Sequence, residues 1–464
     1  MQGVSLIVAF IISIVVMILA ISKFKIHPFL SIMSVSLLLG LAAGIPLTDV
    51  KVDGVVKTQG LATVIGAGFS GTFTSIGIVI ILGALIGTIL EKTGAALKLA
   101  DMTVKLVGKK RPALAMLLMG WIVSIPVFCD SGFVILNPIR KALVKKTITS
   151  SVAMSVALSG GLYVSHVLIP PTPGPIAAAN TLGAGDNLLL VIGMGVLCSI
   201  FPLIAGYFYA KYIGNKVKAN DEANMDTGEI VQSYDELVKS YGKLPNGFMS
   251  LAPIVVPILL MGISSVVAMA KMTGTFAQIL TFLGTPIIAL AVGTIFGVFT
   301  LAAANKMKDF NELTNDTLKV VGPILFVTAA GGVLGKVIAV SGLVNFITEN
   351  ATALQTIGIF FPFLLAAILK TAQGSSTVAI TTTAGILAPM LPALGFDTPI
   401  LVVLVVMAIG AGSMVVSHAN DSYFWVVTNF GGMTPDKGYK TQTPMTLVMG
   451  VAAILEIFLL TLIL

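Results

Sequence analysis

The chain has 464 residues, of which 56% are hydrophobic and 10% charged, with a mean hydropathy of +1.02. Soluble domains carry about 25% charge, so this composition excludes a soluble globular protein, and the recurrent apolar runs of about 18 or more residues indicate a polytopic α-helical membrane protein. A β-barrel would show segments of about ten residues with alternating polarity; the net charge of +7 needs no nucleic acid, because membrane proteins gather Lys and Arg in cytoplasmic loops.

The first run, VSLIVAFIISIVVMILAIS from Val4, lacks a basic leader and a small-residue cleavage site, so a retained span is expected. Lys23 and Lys25 set its end in the cytoplasm. A second run, 27–46, leads outward, and a Gly-rich stretch with the run at 76–90 returns to Glu91-Lys92, a solvated helix end. After an amphipathic piece comes PALAMLLMGWIVSIPVFCDSGFVILNPI, flanked by Lys109–Arg111 on one side and by Arg140-Lys141 and Lys145-Lys146 on the other. Two cytoplasmic flanks require the block to dip in and turn back. Its expected tip is Cys129-Asp130-Ser131-Gly132, irregular backbone that protein or a watery cavity must surround. The alternative is a span over 112–128 followed by an interfacial helix.

The run at 151–184 goes outward and 187–210 returns to Lys211, Lys216 and Lys218. Residues 214–248 read as a polar cytoplasmic linker between an N-terminal repeat, 1–213, and a C-terminal one, 249–464. Spans at 249–270, 276–303 and 319–343 follow. The block 352–395 has no basic flank and reads as a second hairpin, entering from outside. A run at 397–428 and a last span at 443–464 complete the chain. The expected fold is all-α and polytopic, with two inverted-topology repeats, each of three spans, a re-entrant hairpin, a broken span and a further span. Two echoes support the duplication. GALIGTILEKTG from Gly83 matches GGVLGKVIAVSG from Gly331 at three glycines, 248 residues apart, and Val-Ser-His ends at both His166 and His418, 252 apart.

Inverted repeats with helices broken at corresponding places are a transporter signature. Pro170, Pro171, Pro173 and Pro175 cannot donate to the carbonyls four residues back, and each interior proline costs about 3 kcal/mol. A new helix can start with Thr172 as N-cap and Pro173 at its first position, its free N–H groups offering an anion site. The alternatives are a plain outer loop, or an interruption at Gly160-Gly161. Asp130 is a buried carboxylate that binds, couples a proton or caps the tip. His166 and His418 either titrate near neutral pH or pack with satisfied nitrogens. Lys370 places a cation near the second tip or snorkels to the interface. The run Gln373-Gly374-Ser375-Ser376-Thr377 suits a polyhydroxylated ligand, or serine-rich helix packing. Asn420 and Asp421 follow His418, beside the aromatics Tyr423 and Trp425, and Glu456 stands without an obvious partner. Cys129 and Cys198 are expected as free thiols. No zinc spacing, P-loop or dinucleotide fingerprint is present, which argues against an ATP-driven pump unless another subunit supplies the energy; no cofactor or metal is expected.

The stretches PVFCDSGFVILNPI, SHVLIPPTPGP, KTAQGSSTVAITTTAGILAP and GSMVVSHANDSYFW together resemble the gluconate permease family, the GntP-type gluconate:proton symporters. That family commonly has arginine where this chain has Lys370, and lysine lacks the bidentate fork for a carboxylate. The resemblance implies proton-coupled uptake, at the bacterial inner membrane, of gluconate or a related small hydroxy or amino acid. On this reading the helix N-termini at the tips and the proline break, with Gly132, Gly174, Gly374 and Lys370, hold the carboxylate. Ser131, Asn137, Thr172, Gln373, Ser375, Ser376, Thr377 and Asn420 reach the remaining groups. Asp130, with His166, His418 or Asp421, takes the proton. A homodimer is a further expectation. The rival readings are a sodium-coupled carboxylate symporter or antiporter and, further off, a passive channel or an intramembrane enzyme.

Overall fold

The structure is a computed structural model that describes residues 4–99, 102, 111–147, 149–219, 244–343, 357–418 and 421–464. Most of the expected linker (220–243), Lys109-Lys110 and Asn420 lie outside the described residues. The described chain is almost wholly helical. In order come α1 (Val4–Ser22), α2 (Pro28–Ala43), α3 (Leu61–Lys92), α4 (Pro112–Val123), α5 (Cys129–Thr147), α6 (Ser151–Leu168), α7 (Pro173–Thr181), α8 (Leu188–Leu197) and α9 (Ile200–Lys216). There follow α10 (Gly247–Met269), α11 (Thr275–Leu283), α12 (Pro286–Ala303), α13 (Phe310–Val340), α14 (Phe360–Gln373), α15 (Ser376–Leu387), α16 (Pro399–Met414), α17 (Ser422–Phe430) and α18 (Pro435–Ile463).

The helix ends follow local chemistry. Pro occupies the first turn of α2, α4, α7, α12, α16 and α18, where its missing N–H costs nothing. Ser150 and Thr398 cap α6 and α16 by accepting from Ala153 N and Leu401 N, each at 3.3 Å. The 27–46 run is shorter than expected: α2 stops at Gly44, and an antiparallel hairpin follows, β1 (Val50–Val52) with β2 (Val55–Thr58). Its turn is Asp53-Gly54, both at positive φ, the sequence signal of a tight hairpin. The 276–303 run is also split, into α11 and α12, at Gly284-Thr285.

The core is inverted relative to a simple bundle: the most buried helices are the broken ones. Every residue of α6 is buried, and α15 and α16 are nearly so. Small residues permit this closeness; a Cβ on Gly161 would collide with the Leu117 carbonyl of α4. Around this core, α1, α2, α10, α12, α13 and α18 show apolar side chains such as Ile12, Leu38, Leu259, Phe299 and Leu459 to the surroundings, as lipid-facing helices do. Six helical stretches are long and apolar enough to span a bilayer among the described residues, including Met307–Val340 and Pro435–Ile463.

The element order runs twice. Leu61 and Phe310 open the two long helices, Pro112 and Phe360 the two hairpins, Ser151 and Pro399 the two buried helices, Pro173 and Ser422 the short helices after the breaks; the separations are 249, 248, 248 and 249 residues. Packing repeats likewise: α4 lies on α6 as α14 lies on α16, and α2 lies on α13 as α12 lies on α3. The long helices α3 and α13 cross antiparallel, since Thr88 meets Thr317 (3.0 Å) near one end and Gly68 meets Val333 near the other. Gly94 and Gly342, matched in the sequence echo, both take positive φ just after these helices. The Val-Ser-His echo, by contrast, is out of step by about three residues. His166 lies inside α6, whereas His418 lies beyond the end of α16. The two histidines are therefore not counterparts.

Candidate functional site

Each hairpin block is two short helices joined by a turn, and no arm but α5 is long enough to cross. The 12 residues of α4 rise only about 18 Å. In the first block the turn is Ser124–Phe128, several residues earlier than the sequence suggested, because Ser124 Oγ closes it on the Val127 carbonyl at 2.9 Å. Cys129, Asp130, Ser131 and Gly132 form the first turn of α5 instead. In the second block Gly374, at φ +91°, ends α14, and Ser375 caps α15 through Val378 N at 3.3 Å. The first broken span runs unbroken through Gly160-Gly161, ends at Leu168, turns through a cis Pro170–Pro171 bond and restarts at Pro173 with Thr172 as N-cap. The second ends at Met414, passes through Val416 at φ +55° and restarts after Asp421, which accepts from Tyr423 N at 3.0 Å.

These pieces meet at one cavity of about 660 Å³, within the range of small-molecule sites. Its floor is built by the N-terminal turns of three helices: Cys129 and Asp130 of α5, Ser376, Thr377 and Val378 of α15, and Ser422 and Tyr423 of α17. Tyr163 and His166 of α6 and Gly374, Ser375, Thr381 and Asp421 complete it. The mouth is formed by His27 and Pro28 before and in α2, Thr88 and Glu91 of α3, and Asp316, Thr317 and Val320 of α13. It therefore opens toward the end of the bundle that carries Lys23, Lys25, Lys92 and Lys306; Lys306 Nζ donates to the Lys92 carbonyl at 2.8 Å. At the opposite end α3, α13 and α15 close on one another so tightly that a Cβ on Gly332 would meet Thr72 Oγ1.

Under the floor lies an ion pair. Lys370 is fully buried, and its Nζ donates to Asp421 Oδ2 at 2.6 Å and also to the Gly374 carbonyl, 5.8 Å from the centre of the Tyr163 ring. The same Oδ2 accepts from Ser417 Oγ at 2.5 Å and from Tyr163 Oη at 3.4 Å. Tyr423 Oη donates onward to the Ser159 carbonyl at 3.0 Å, and Ser159 Oγ to Gln442 at 2.9 Å. Asp130 Oδ1 lies 3.5 Å from Ser422 Oγ, so the two half-chains touch across the floor. His166 is buried with its Nδ1 unpartnered among the described residues.

The structure thus brings Asp130, His166, Gly374, Ser375, Ser376, Thr377 and Asp421 to one cavity, with Lys370 directly behind it. Other expected site residues lie elsewhere. Asn137 accepts from Arg140 Nε at 2.7 Å, away from the cavity. Thr172 Oγ1 donates to the Ile169 carbonyl at 2.7 Å, in a narrow crevice with Gly83, Pro126 and Phe128. Gly132 and Gly174 are packing positions, facing Leu162 and Ile380. His418 Nε2 bonds the Thr371 carbonyl at 2.9 Å. Ser131 and Gln373 lie in the first turn of α5 and at the end of α14. Three features escaped sequence reasoning. Tyr163, a lone tyrosine in a small-residue helix, forms part of the cavity wall. Arg140 is fully buried rather than a cytoplasmic flank; its Nη1 donates to Ser151 Oγ at 2.5 Å and its Nη2 to the Phe430 carbonyl at 3.3 Å, tying α5 to the end of α17. Glu456 has a partner: its Oε2 accepts from Phe201 N at 2.9 Å, capping α9.

Backbone N–H groups freed inside a membrane bundle, gathered at a cavity and backed by a buried cation, are the arrangement that polytopic transporters use. Comparison with solved structures agrees on the fold. MtrF of Neisseria gonorrhoeae, described as illuminating a class of antimetabolite efflux pumps, superposes with a TM-score of 0.63 at 14% identity, over 95% of this chain and 96% of that one. The chain matches the profile of the GntP family permeases over residues 5–463. It is 34% identical to a permease of Haemophilus influenzae over 97% of this chain and 91% of the relative. It is 32% identical to the inner membrane permease YgbN of Escherichia coli (94% of each chain) and 30% identical to a gluconate permease of Zymomonas mobilis (96% and 95%). The protein belongs to the GntP permease family. It is a multi-pass inner-membrane transporter and not an enzyme.

Proposed function

We propose that the protein takes up gluconate, or a related small hydroxylated monocarboxylate, by proton symport. The observation that carries this reading is the meeting of three helix N-termini with the Lys370–Asp421 pair at one cavity. Helix N-termini carry about half a positive charge each and bind carboxylates through free N–H groups. The hydroxyl-bearing residues Ser375, Ser376, Thr377, Ser422 and Tyr163 line the same space and suit a polyol chain. Glu91 and Asp316 at the mouth confine the attractive potential to the floor, so an anion is held deep and released past an acidic rim. Gluconate permeases among the relatives favour this class of solute.

The two halves, 1–213 and 249–464 around the linker at 214–248, act as inverted repeats. The lysine-bearing end is cytoplasmic by the positive-inside rule, so the cavity faces inward, and the glycine-packed contact between α3 and α13 seals the outer side. Rocking one half against the other exchanges the two openings. Protonation on the floor, among Asp130, His166 and Asp421, couples the proton to the solute. Purified protein in liposomes is expected to accumulate gluconate when the outside is made acidic, with glycerate, D-serine, hydroxybutyrate and lactate as competitors in order of decreasing match. Accumulation that ignores the pH gradient contradicts proton coupling.

A further inference from the structure

Lys370 is not itself part of the cavity wall. Its Nζ is held by the Gly374 carbonyl and by Asp421, both of which line the cavity. A carboxylate arriving in the cavity meets Lys370 where the Asp421 carboxylate, of the same shape and charge, now sits. We propose that exchange of the two carboxylates is the coupling step: the substrate carboxylate displaces Asp421 from Lys370, and Asp421, stripped of its cation, takes up the transported proton. This deepens the symport reading above and rests on it.

The energetics follow from burial. Asp421 is buried, and a buried carboxylate that loses its cation is strongly destabilised until it is neutralised. The titratable groups facing it are Lys370 from α14, Tyr163 and His166 from α6, Cys129 and Asp130 from α5, and Tyr423 on its own helix. With Lys370 taken, none of the others is a standing cation, and Asp130 adds a like charge. The remaining partners of Asp421, the Ser417 hydroxyl, the Tyr163 hydroxyl and the Tyr423 N–H, do not replace a positive charge; the two hydroxyls can turn to accept from a protonated carboxyl. The proton comes from the solution that delivered the substrate, and leaves when the substrate departs and the Lys370–Asp421 bond re-forms. The empty site holds Lys⁺ and Asp⁻; the loaded site holds Lys⁺, substrate⁻ and a neutral acid. Both sum to zero, so empty and loaded carriers cross the same electrostatic barrier. Transport is then electroneutral, one proton per monocarboxylate.

The test uses the full chain in liposomes with radiolabelled gluconate. Wild-type uptake is expected to follow an imposed pH gradient and to be unchanged by a potassium–valinomycin potential of either sign. Gluconate binding to the detergent-solubilised protein should weaken about tenfold per pH unit in the range where Asp421 must be protonated on binding. Asp421→Asn should bind gluconate without that pH slope and lose concentrative uptake. Should Asp421→Asn fail to fold, the potential-independence and the pH slope of the wild type carry the test. Accumulation driven by membrane potential, a flat pH slope in the wild type, or concentrative uptake by Asp421→Asn overturns the coupling step alone. A wild type that takes up no sugar acid under any gradient overturns the functional reading and this step with it.

Discussion

The two breaks in the buried helices make the same backbone device from different chemistry. The first uses prolines; its N-cap, Thr172, spends its hydroxyl on the Ile169 carbonyl, and the turn is packed into a narrow crevice. The second contains no proline between Met414 and Asp421; its N-cap is Asp421, which accepts from Tyr423 N and from Lys370 together. At the breaks themselves the first supplies a neutral, packed turn and the second supplies a charged group that lines the cavity. The two breaks thus share a backbone form while their chemistry differs, and transport is expected to depend far more on the second.

The severest way to break that comparison is to remove the cation. Lys370→Met leaves Asp421 buried and unpaired, which costs about 3–5 kcal/mol, and it is expected to lower the thermal midpoint in detergent and abolish uptake. Lys370→Met combined with Asp421→Leu should recover the stability and none of the transport; recovered transport would remove the pair from the mechanism. Next comes His166. Its buried, unpartnered Nδ1 means that His166→Leu is expected to leave the thermal midpoint unchanged or raised. If the ring bonds the solute, the same variant loses about 1.5 kcal/mol, a tenfold rise in the KM for uptake. A structural histidine would instead show lost stability and an unchanged KM.

At the first break the effect should be smaller. Thr172→Val removes one hydroxyl that caps nothing on α7, so it is expected to cost about 1 kcal/mol or less and to keep most transport activity. A loss as large as that of Asp421→Asn would show that the two breaks share the work. The smallest effect lies outside the membrane. Gly60 N–H donates to Asp49 Oδ1 at 2.7 Å and holds that carboxyl below its usual range. Because the folded value is depressed, its contribution is present above about pH 3.9 and is lost as pH falls through the folded value. Hydrogen exchange at Gly60 should quicken below that range, and in Asp49→Asn at neutral pH.

Much of this arrangement was readable in the residues, and the failures have physical reasons. Single prolines are carried inside helices here, as Pro323 in α13 and Pro444 in α18 are, but four in six residues are not, so a break at 170–175 with a restart at Pro173 was readable beside the alternatives of a plain loop and an interruption at Gly160-Gly161. The second break rests on Val416 at positive φ and on an aspartate cap, which no propensity reveals inside an apolar run. The glycine echo carries a structural likeness, because Gly94 and Gly342 both take positive φ just after the two long helices. The histidine echo misled because Val-Ser-His recurs three residues out of register. Arg140 was taken for a flank because charge at the end of an apolar block usually faces water; here the carbonyl of Phe430, 290 residues away, receives it. The pairing of Lys370 with Asp421 is likewise tertiary: each was a candidate alone, and only the fold joins them. Asp53-Gly54 between two Val-rich segments was a signal present and unused.

Recognition of a carboxylate by Lys370 and the helix N-termini on the cavity floor is what the proposed transport requires. Titration calorimetry of the purified protein with gluconate, and with the neutral polyol glucitol that keeps its hydroxyl chain, measures that directly. Gluconate is expected to bind and glucitol to bind at least a hundredfold more weakly, in keeping with the loss of a charge-assisted pair of about 3 kcal/mol. Equal affinity for the two, or gluconate binding untouched in Lys370→Met, would contradict it.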